Sequence, residues 1–456
     1  MKRILFLQAI LLTSISIAQN LPRKAFLGVR FSPLTEKFKK ETNYKKNYGL
    51  LITEISRNGT IANLNISKGS VLIQINGKKV SSRLDFRKIM EHVKEGDTLL
   101  LNVLTNNKQE KLFEVIAKGK PYQKSTYGSV NYGAVKYKNN KLRSLLYLPN
   151  NNKKPPVVFY LQGYTCQSIE FQDNIPMKKL INDWVKNGYA VYLVEKPGVG
   201  DSFGEQKCLE IDFQQELKAF QIAYKNLIQN QQIDKDNIFL FGHSMGGVVA
   251  PLLAQIYQPK GIQVFGTVGK NIYPYMKDVF TEQQLLLGAT KESIEQHTKL
   301  GLPFLKDLMV AKKTNEQILL NDNHVTFLKK EQFLEAFKKG YYENRKYTYW
   351  QALGEIDIPK AWSKITGDVF VMHGEYDVQA IHYKYAKLIA TTVNSNKGKA
   401  TFKLIPSTDH LFLKFSSMDE NVKSLNNGSY RDAMLTRYNT KVSEISIAWM
   451  NQLVKE

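Results

Sequence analysis

Several residue patterns that would assign a class at once are missing from this chain, and each absence removes a possibility. Cysteine occurs only twice in 456 residues, at Cys166 and Cys208, and no paired Cys or His ligand spacing accompanies them. A sequence-coded zinc site is therefore not expected, nor is any other metal or cofactor. Beyond the N-terminal end, no segment approaches the roughly 20 apolar residues that a membrane helix needs. Internal repeats and long low-complexity segments are absent as well. The net charge is +23, yet the lysines are spread through every region among Asn, Ile and Tyr instead of forming a basic stripe. That dispersion reads as compositional bias, so no nucleic-acid partner is expected, although attraction to anionic envelope surfaces stays open.

The N-terminal end begins with Met1-Lys2-Arg3, continues with a mostly apolar run from Ile4 to Leu12, and reaches Ser16-Ile17-Ala18. A basic start, an apolar stretch too short to span a bilayer and small residues before the cut predict a signal peptide over residues 1–18. An uncleaved anchor is the alternative. With cleavage after Ala18 the mature protein is expected to be exported, periplasmic or secreted, with no transmembrane span.

The run Phe241-Gly242-His243-Ser244-Met245-Gly246-Gly247 follows a short strand, Asn237 to Leu240, and precedes an apolar helix from Val248 to Ile256. A serine hydroxyl is a poor nucleophile at neutral pH, so it must be held at a strained strand-to-helix turn within reach of a base. Gly242 and Gly246 stand where a Cβ would strike the adjacent strand or helix. This elbow predicts an acid and then a histidine in later loops. The apolar run from Asp368 ends in a turn at Asp377, the expected acid, with Glu375 as runner-up. The strand Thr401 to Pro406 runs into Ser407-Thr408-Asp409-His410, which makes His410 the expected general base.

The chain has seven histidines, and the other six fit less well. His92 lies far from any nucleophile, His297 and His324 fall in a polar helical insertion, and His382 follows the acid too closely. His243 adjoins the serine with its side chain expected to point away, and His373 sits within the strand leading to Asp377. Asp409 is expected to cap or hydrogen-bond its loop. The developing oxyanion needs backbone donors. Met245 N–H should be one, and Tyr164 N–H, in the Gln162-Gly163-Tyr164 turn after the strand Pro156 to Leu161, the second.

On these motifs, residues 125–456 resemble an α/β-hydrolase of the serine esterase, lipase and aminopeptidase superfamily. Two further runs support the likeness: the strand Tyr189 to Val194, and Lys196-Pro197-Gly198-Val199-Gly200-Asp201-Ser202, which resembles the Gly-x-Gly-x-Ser loop of such enzymes. Gln162 departs from the histidine that many of them carry. The resemblance implies an α/β fold, a mostly parallel sheet with helices on both faces and a helical cap. Periodicity agrees, with a helix expected over Phe213 to Leu227, a buried strand over Gly261 to Val268 and a terminal helix over Val442 to Val454.

About a hundred residues without strand alternation, near 270–360, read as the cap. The aromatic cluster Tyr341, Tyr342, Tyr347, Tyr349 and Trp350 is expected mainly to pack the cap on the core. Cys166 and Cys208 lie beside two of the proposed active-site loops. A disulfide would tie those loops together, and two free buried thiols are the alternative.

Residues 24–118 resemble a small, mainly β PDZ domain of the bacterial protease type. The matching positions are Phe26-Leu27-Gly28-Val29, Leu50 to Ile55, Gly69 to Val80 and Gly96 to Leu99, with a helix from Asp85 to Val93; Ser70 stands where an aspartate is common. Residues 119–124 form the expected linker. The resemblance implies that Phe26, Leu27, Gly28 and Val29 hold a peptide carboxylate, with a protein C-terminus as the possible partner. The whole reads as an exported serine hydrolase acting on a small acyl ester. A serine aminopeptidase is one alternative, and would need an acidic pocket group such as Glu343, Glu335 or Asp307. A PDZ-led binding protein with a silent hydrolase domain is another.

Overall fold

The computed structural model describes residues 21–455, so the signal-peptide reading of residues 1–18 lies outside them. The N-terminal part is an antiparallel sheet of β1 (Val29–Pro33), β2 (Leu50–Ile55), β3 (Val71–Ile75), β4 (Lys78–Lys79), β5 (Thr98–Leu104) and β6 (Glu110–Ile116). Its order is β1-β2-β3-β5-β6, with β4 paired to β3. Leu99, Leu101 and Val103 alternate inward and meet Leu27, Ile52, Ile75 and Val80 in one apolar core, the two-residue period of a half-buried strand. The helix runs over Arg83–Met90 rather than from Asp85 to Val93. Ser82 Oγ accepts from Asp85 N (3.1 Å) and sets the start earlier, while Val93 N donates to Met90 O (3.2 Å) in a closing turn.

The second part is built on an eight-stranded sheet. Its strands are β7 (Gly128–Tyr137), β8 (Asn140–Pro149), β9 (Val157–Leu161), β10 (Ala190–Val194), β11 (Ile238–His243) and β12 (Gly261–Phe265). After a cap that holds β13 (Tyr341–Tyr342) and β14 (Arg345–Lys346) come β15 (Asp368–Gly374) and β16 (Lys399–Ile405). The order across the sheet is β16-β15-β12-β11-β9-β10-β8-β7, parallel from β16 to β10 and antiparallel at β8 and β7.

Side chains leave β11 alternately. Ile238 and Leu240 join the face covered by helices Phe213–Leu227, Gly246–Ala254 and Lys384–Asn394. Phe239 and Phe241 join the face covered by Pro176–Lys186 and Lys441–Lys455. Covering both faces is what makes these strands nearly uniform apolar runs. The helix at Phe213 starts on a capping box, in which Asp212 Oδ1 accepts from Gln215 N and Gln215 Oε1 accepts from Asp212 N.

Two expectations need correcting here. β12 stops at Phe265 instead of Val268, because Gly266 turns the chain at φ +57°. The cap, expected to lack strands, contains the β13–β14 hairpin, whose two-residue turn Glu343-Asn344 has φ of 48° and 60°. Strands of two residues are too short to leave a period in the sequence.

The two parts meet through buried charge. Arg23 donates to Glu170 Oε1 (2.5 Å) and Asp201 Oδ2 (2.6 Å), and Lys24 N donates to Asp201 Oδ1 (2.9 Å). Cys166 and Cys208 are joined in a disulfide with Cα atoms 5.9 Å apart, closing a loop with a sequence separation of 42. Chain-entropy arithmetic for such a loop gives about 4 kcal/mol. The Cys166→Ala/Cys208→Ala variant should therefore lose up to about 4 kcal/mol in denaturant unfolding, and an unchanged midpoint would refute that cost.

Candidate active site

Parallel β strands deliver their carboxyl ends to one edge of the sheet, where helices begin and ligands bind. Ser244 lies at that edge, immediately past β11. It is half-buried and holds φ +56°, the left-handed region that non-glycine residues rarely occupy. Its neighbours permit this strain. A Cβ at Gly242 would fall 2.6 Å from Gly246 O, and one at Gly246 would overlap Leu161 O. Ser244 N donates to Phe265 O (3.0 Å), and Thr267 Oγ1 donates to Ser244 O (2.7 Å).

Asp377 follows β15 and His410 follows β16, and both are buried. His410 Nδ1 and Asp377 Oδ2 are 2.8 Å apart. The other carboxylate oxygen, Oδ1, accepts from Gln379 N (2.9 Å) and Ala380 N (2.7 Å), which locks the acid in place. Burial opposes charge on both groups, but their mutual attraction outweighs it. The His410 imidazole is held above its ordinary value and the Asp377 carboxyl below its own.

Gly266, at the turn ending β12, lies against this pair: a Cβ there would stand 2.6 Å from Asp377 Oδ2 and 2.9 Å from His410 Nδ1. The backbone at Phe265-Gly266 therefore touches Ser244 through one residue and lies against Asp377 and His410 through the next. Glu375 is exposed and accepts from Ser407 N (2.8 Å), far from a role on His410. Asp409 Oδ1 accepts from Leu411 N and Leu413 N, and Tyr430 OH donates to its Oδ2. Burial pushes the Asp409 carboxyl up to about 6.

His243 does more than point away. Its Nε2 lies 2.9 Å from the His410 carbonyl oxygen, which only accepts, so Nε2 carries the proton; its Nδ1 is 3.4 Å from Tyr160 OH. Burial, joined by the nearby His410, pushes its pKa down to about 3, so the ring stays neutral and supports the His410 loop from below. The two-residue alternation of β11, which sends Phe241 and His243 to the same face, was the available signal.

The N–H groups of Met245 and Tyr164 find no acceptor among the described residues. Both belong to segments adjoining Ser244: a Cβ at Gly163 would lie 3.0 Å from Ser244 Cβ and 3.4 Å from its Oγ. Tyr164 is also tied to the cap. Its ring packs on Tyr349 and Trp350 (centroids 5.9 and 5.5 Å), and its OH donates to Glu343 O. Tyr349 in turn packs on Phe213, so these aromatics join cap to core. Lys196, Glu216 and Arg345, which surround the Tyr164 turn, were not anticipated from sequence as site residues.

In the N-terminal part, the Leu27 and Gly28 N–H groups likewise have no acceptor among the described residues. Gly28 has φ +77°, and a Cβ there would overlap the Gly59 backbone. β1 is an edge strand, but the space beside it is partly filled: Phe31 packs on Phe86 at 4.9 Å, and Arg83 Nη2 donates to Phe31 O (2.5 Å). Among the described residues no group of three or more His, Cys, Asp or Glu is placed to hold a metal ion, and no helix is long and apolar enough to cross a membrane.

Two regions of the chain match families of known proteins. Residues 175–339 match the family described as serine aminopeptidase, S33, and residues 25–115 match the PDZ domain family. A protein of Bartonella henselae described as "Probable periplasmic serine endoprotease DegP-like" is 30% identical over 96 residues, 21% of this chain and 19% of its own. The serine protease Do-like HtrA of Lactobacillus helveticus is 36% identical over 87 residues, 18% of this chain and 21% of its own. The chain thus spans about a fifth of the length of these relatives. Among solved structures, Est1E from Butyrivibrio proteoclasticus aligns over 71% of this chain and 99% of its own, with 13% identity and a TM-score of 0.44. By these matches residues 25–115 are similar to PDZ domains and residues 175–339 to the S33 serine aminopeptidases, the latter on a sheet and helix arrangement of the α/β-hydrolase type.

Proposed function

We propose that the protein is an exported hydrolase that cleaves carboxylic esters through an acyl-enzyme. Ser244 attacks the acyl carbonyl and His410 takes its proton, while Asp377 orients His410 and stabilises its charged form. Met245 and Tyr164 N–H receive the developing oxyanion. The leaving alcohol departs with the proton from His410, and water, activated by the same histidine, releases the acid. The observation that carries this reading is the buried 2.8 Å His410–Asp377 contact resting on Gly266, one residue from the carbonyl that holds Ser244 N. Ester as the bond cut rests on the resemblance of elbow and cap, which is an analogy of fold. The Phe26–Val29 loop is read as the site of a peptide carboxylate, with the peptide adding alongside β1 and displacing Arg83 from Phe31 O.

A specific observation favours an aminopeptidase as the second reading. Of the three acidic cap residues considered for binding a free amine, Asp307 is occupied by Lys313 and His324, and Glu335 is an exposed partner of Lys338. Glu343 is half-buried and has no ion-pair partner among the described residues, and its own carbonyl holds Tyr164 OH. Burial, aided by nearby Glu331, raises its carboxyl above the usual range. Initial rates on matched short-acyl nitrophenyl esters and aminoacyl anilides, compared with the Ser244→Ala variant, separate the readings. Ser244-dependent cleavage of esters alone supports the esterase. Comparable anilide cleavage transfers the assignment to the peptidase, and silence on both removes the ester proposal.

A further inference from the structure

Three charged side chains are almost fully buried around the Gln162–Tyr164 turn, and none belongs to the Ser244, His410 and Asp377 set. Lys196, just past β10, donates through Nζ to Gly163 O (2.7 Å) and to Tyr164 O (3.3 Å). Arg345, on β14 of the cap, donates through Nη1 to Tyr164 O (3.0 Å) and through Nη2 to Glu216 Oε2 (2.6 Å). Glu216, on helix Phe213–Leu227, completes the group with Oε1 at 2.9 Å from Lys196 Nζ. Side-chain exposure is 0% for Lys196, 3% for Glu216 and 1% for Arg345.

Stability alone is a poor reason for such a cluster. Each buried ion costs several kcal/mol of desolvation, and apolar replacements of similar volume often serve a core as well or better. Arg345 Nε, moreover, has no acceptor among the described residues. The two cations converge on successive carbonyl oxygens of a single turn. In a trans peptide the C=O and N–H point in opposite directions. Holding Gly163 O on Lys196 therefore turns the Tyr164 N–H of the same peptide unit away from the cluster. A cationic donor on that carbonyl also polarises the unit and strengthens its N–H as a donor.

We propose that Lys196, Glu216 and Arg345 position the oxyanion-binding peptide, and that because Arg345 enters from the cap, the oxyanion site is complete only when the cap is seated. The proposal rests on the reading of Tyr164 N–H as an oxyanion donor. The three are positioning residues: Lys196 and Arg345 touch the peptide, Glu216 holds both of them in place, and the peptide in turn would touch the reacting oxygen.

The test measures kcat and KM on the best ester, and Ki for an alkyl boronic acid, whose tetrahedral adduct on Ser244 places an oxygen in the oxyanion site. Lys196→Met should lower kcat by about 10- to 100-fold, with Ki rising by a similar factor and KM moving less than about threefold. Arg345→Met should behave in the same way, and the charge-retaining Arg345→Lys should recover part of the loss. Melting midpoints identify any variant that fails to fold. The Arg345→Met and Arg345→Lys pair then decides in place of Lys196→Met. An unchanged kcat, or a loss in which Ki stays constant while KM rises, overturns the role of the cluster. Full hydrolysis by Ser244→Ala would instead overturn the underlying serine mechanism, so the two failures are distinguishable.

Discussion

Replacing Ser244 by alanine should abolish turnover, a fall in kcat of about 10⁴- to 10⁶-fold, while the melting midpoint stays where it is. On the proposed mechanism the loss follows from removing the atom that bonds to the acyl carbon, and binding and the oxyanion donors alone would leave only a residual rate. The fold survives because the elbow does not depend on the hydroxyl. Gly242 and Gly246 make room for the turn, Ser244 N is held by Phe265 O, and Thr267 Oγ1 holds the Ser244 carbonyl. Alanine meets the same φ of +56° with the same Cβ, so no strain is added. Steady-state rates beside a thermal melt check both halves, and retained activity in a folded variant would sink the serine assignment.

Asp377→Asn should be nearly as damaging, at about 10⁴-fold in kcat, and it should also move the pH profile. In the proposed mechanism His410 must be neutral to accept the serine proton, and its pKa is held above the ordinary value by Asp377. Activity should therefore fall, as pH drops, through a midpoint above the ordinary histidine value of about 6.5. The amide carries no charge, so in Asp377→Asn the midpoint should shift down while the plateau collapses.

Stability runs the other way. A raised folded pKa on His410 gives a contribution fully present below the unfolded value of about 6.5 and lost as pH rises through the folded one. The lowered pKa of Asp377 gives a contribution present above the unfolded carboxylate value of about 3.9 and lost as pH falls through the folded one. Wild type should thus melt highest relative to Asp377→Asn between those two unfolded values, below its best pH for catalysis. An acid limb at the same pH in both proteins would remove Asp377 from the pair.

Much of this site is legible in the letters because its demands are local. The elbow needs small residues at fixed offsets from Ser244, and Gly242 and Gly246 supply them. A proposed acid and base need only follow successive strands of a parallel sheet, so order along the chain points to Asp377 and His410, which meet in the structure. Less legible are His243, whose side chain the sequence places only as pointing away from the serine, and Gly266, which lies inside an apolar run expected to continue to Val268. Neither has a meaning until another strand or loop is packed against it.

The sequence by itself determined the two architectures, the strands and helices of the hydrolase core, and the loops that carry Ser244, Asp377 and His410, because periodicity, capping and turn chemistry act over a few residues. Only the tertiary structure decided which charges share the interior. Glu216 and Arg345 are 129 residues apart in the chain, and His243 and His410 are 167 apart. Nothing in the neighbourhood of either partner specifies the other. A buried ion or ring is matched by whatever group the sheet, helix and cap bring within hydrogen-bond reach, and that proximity exists only after the layers have packed.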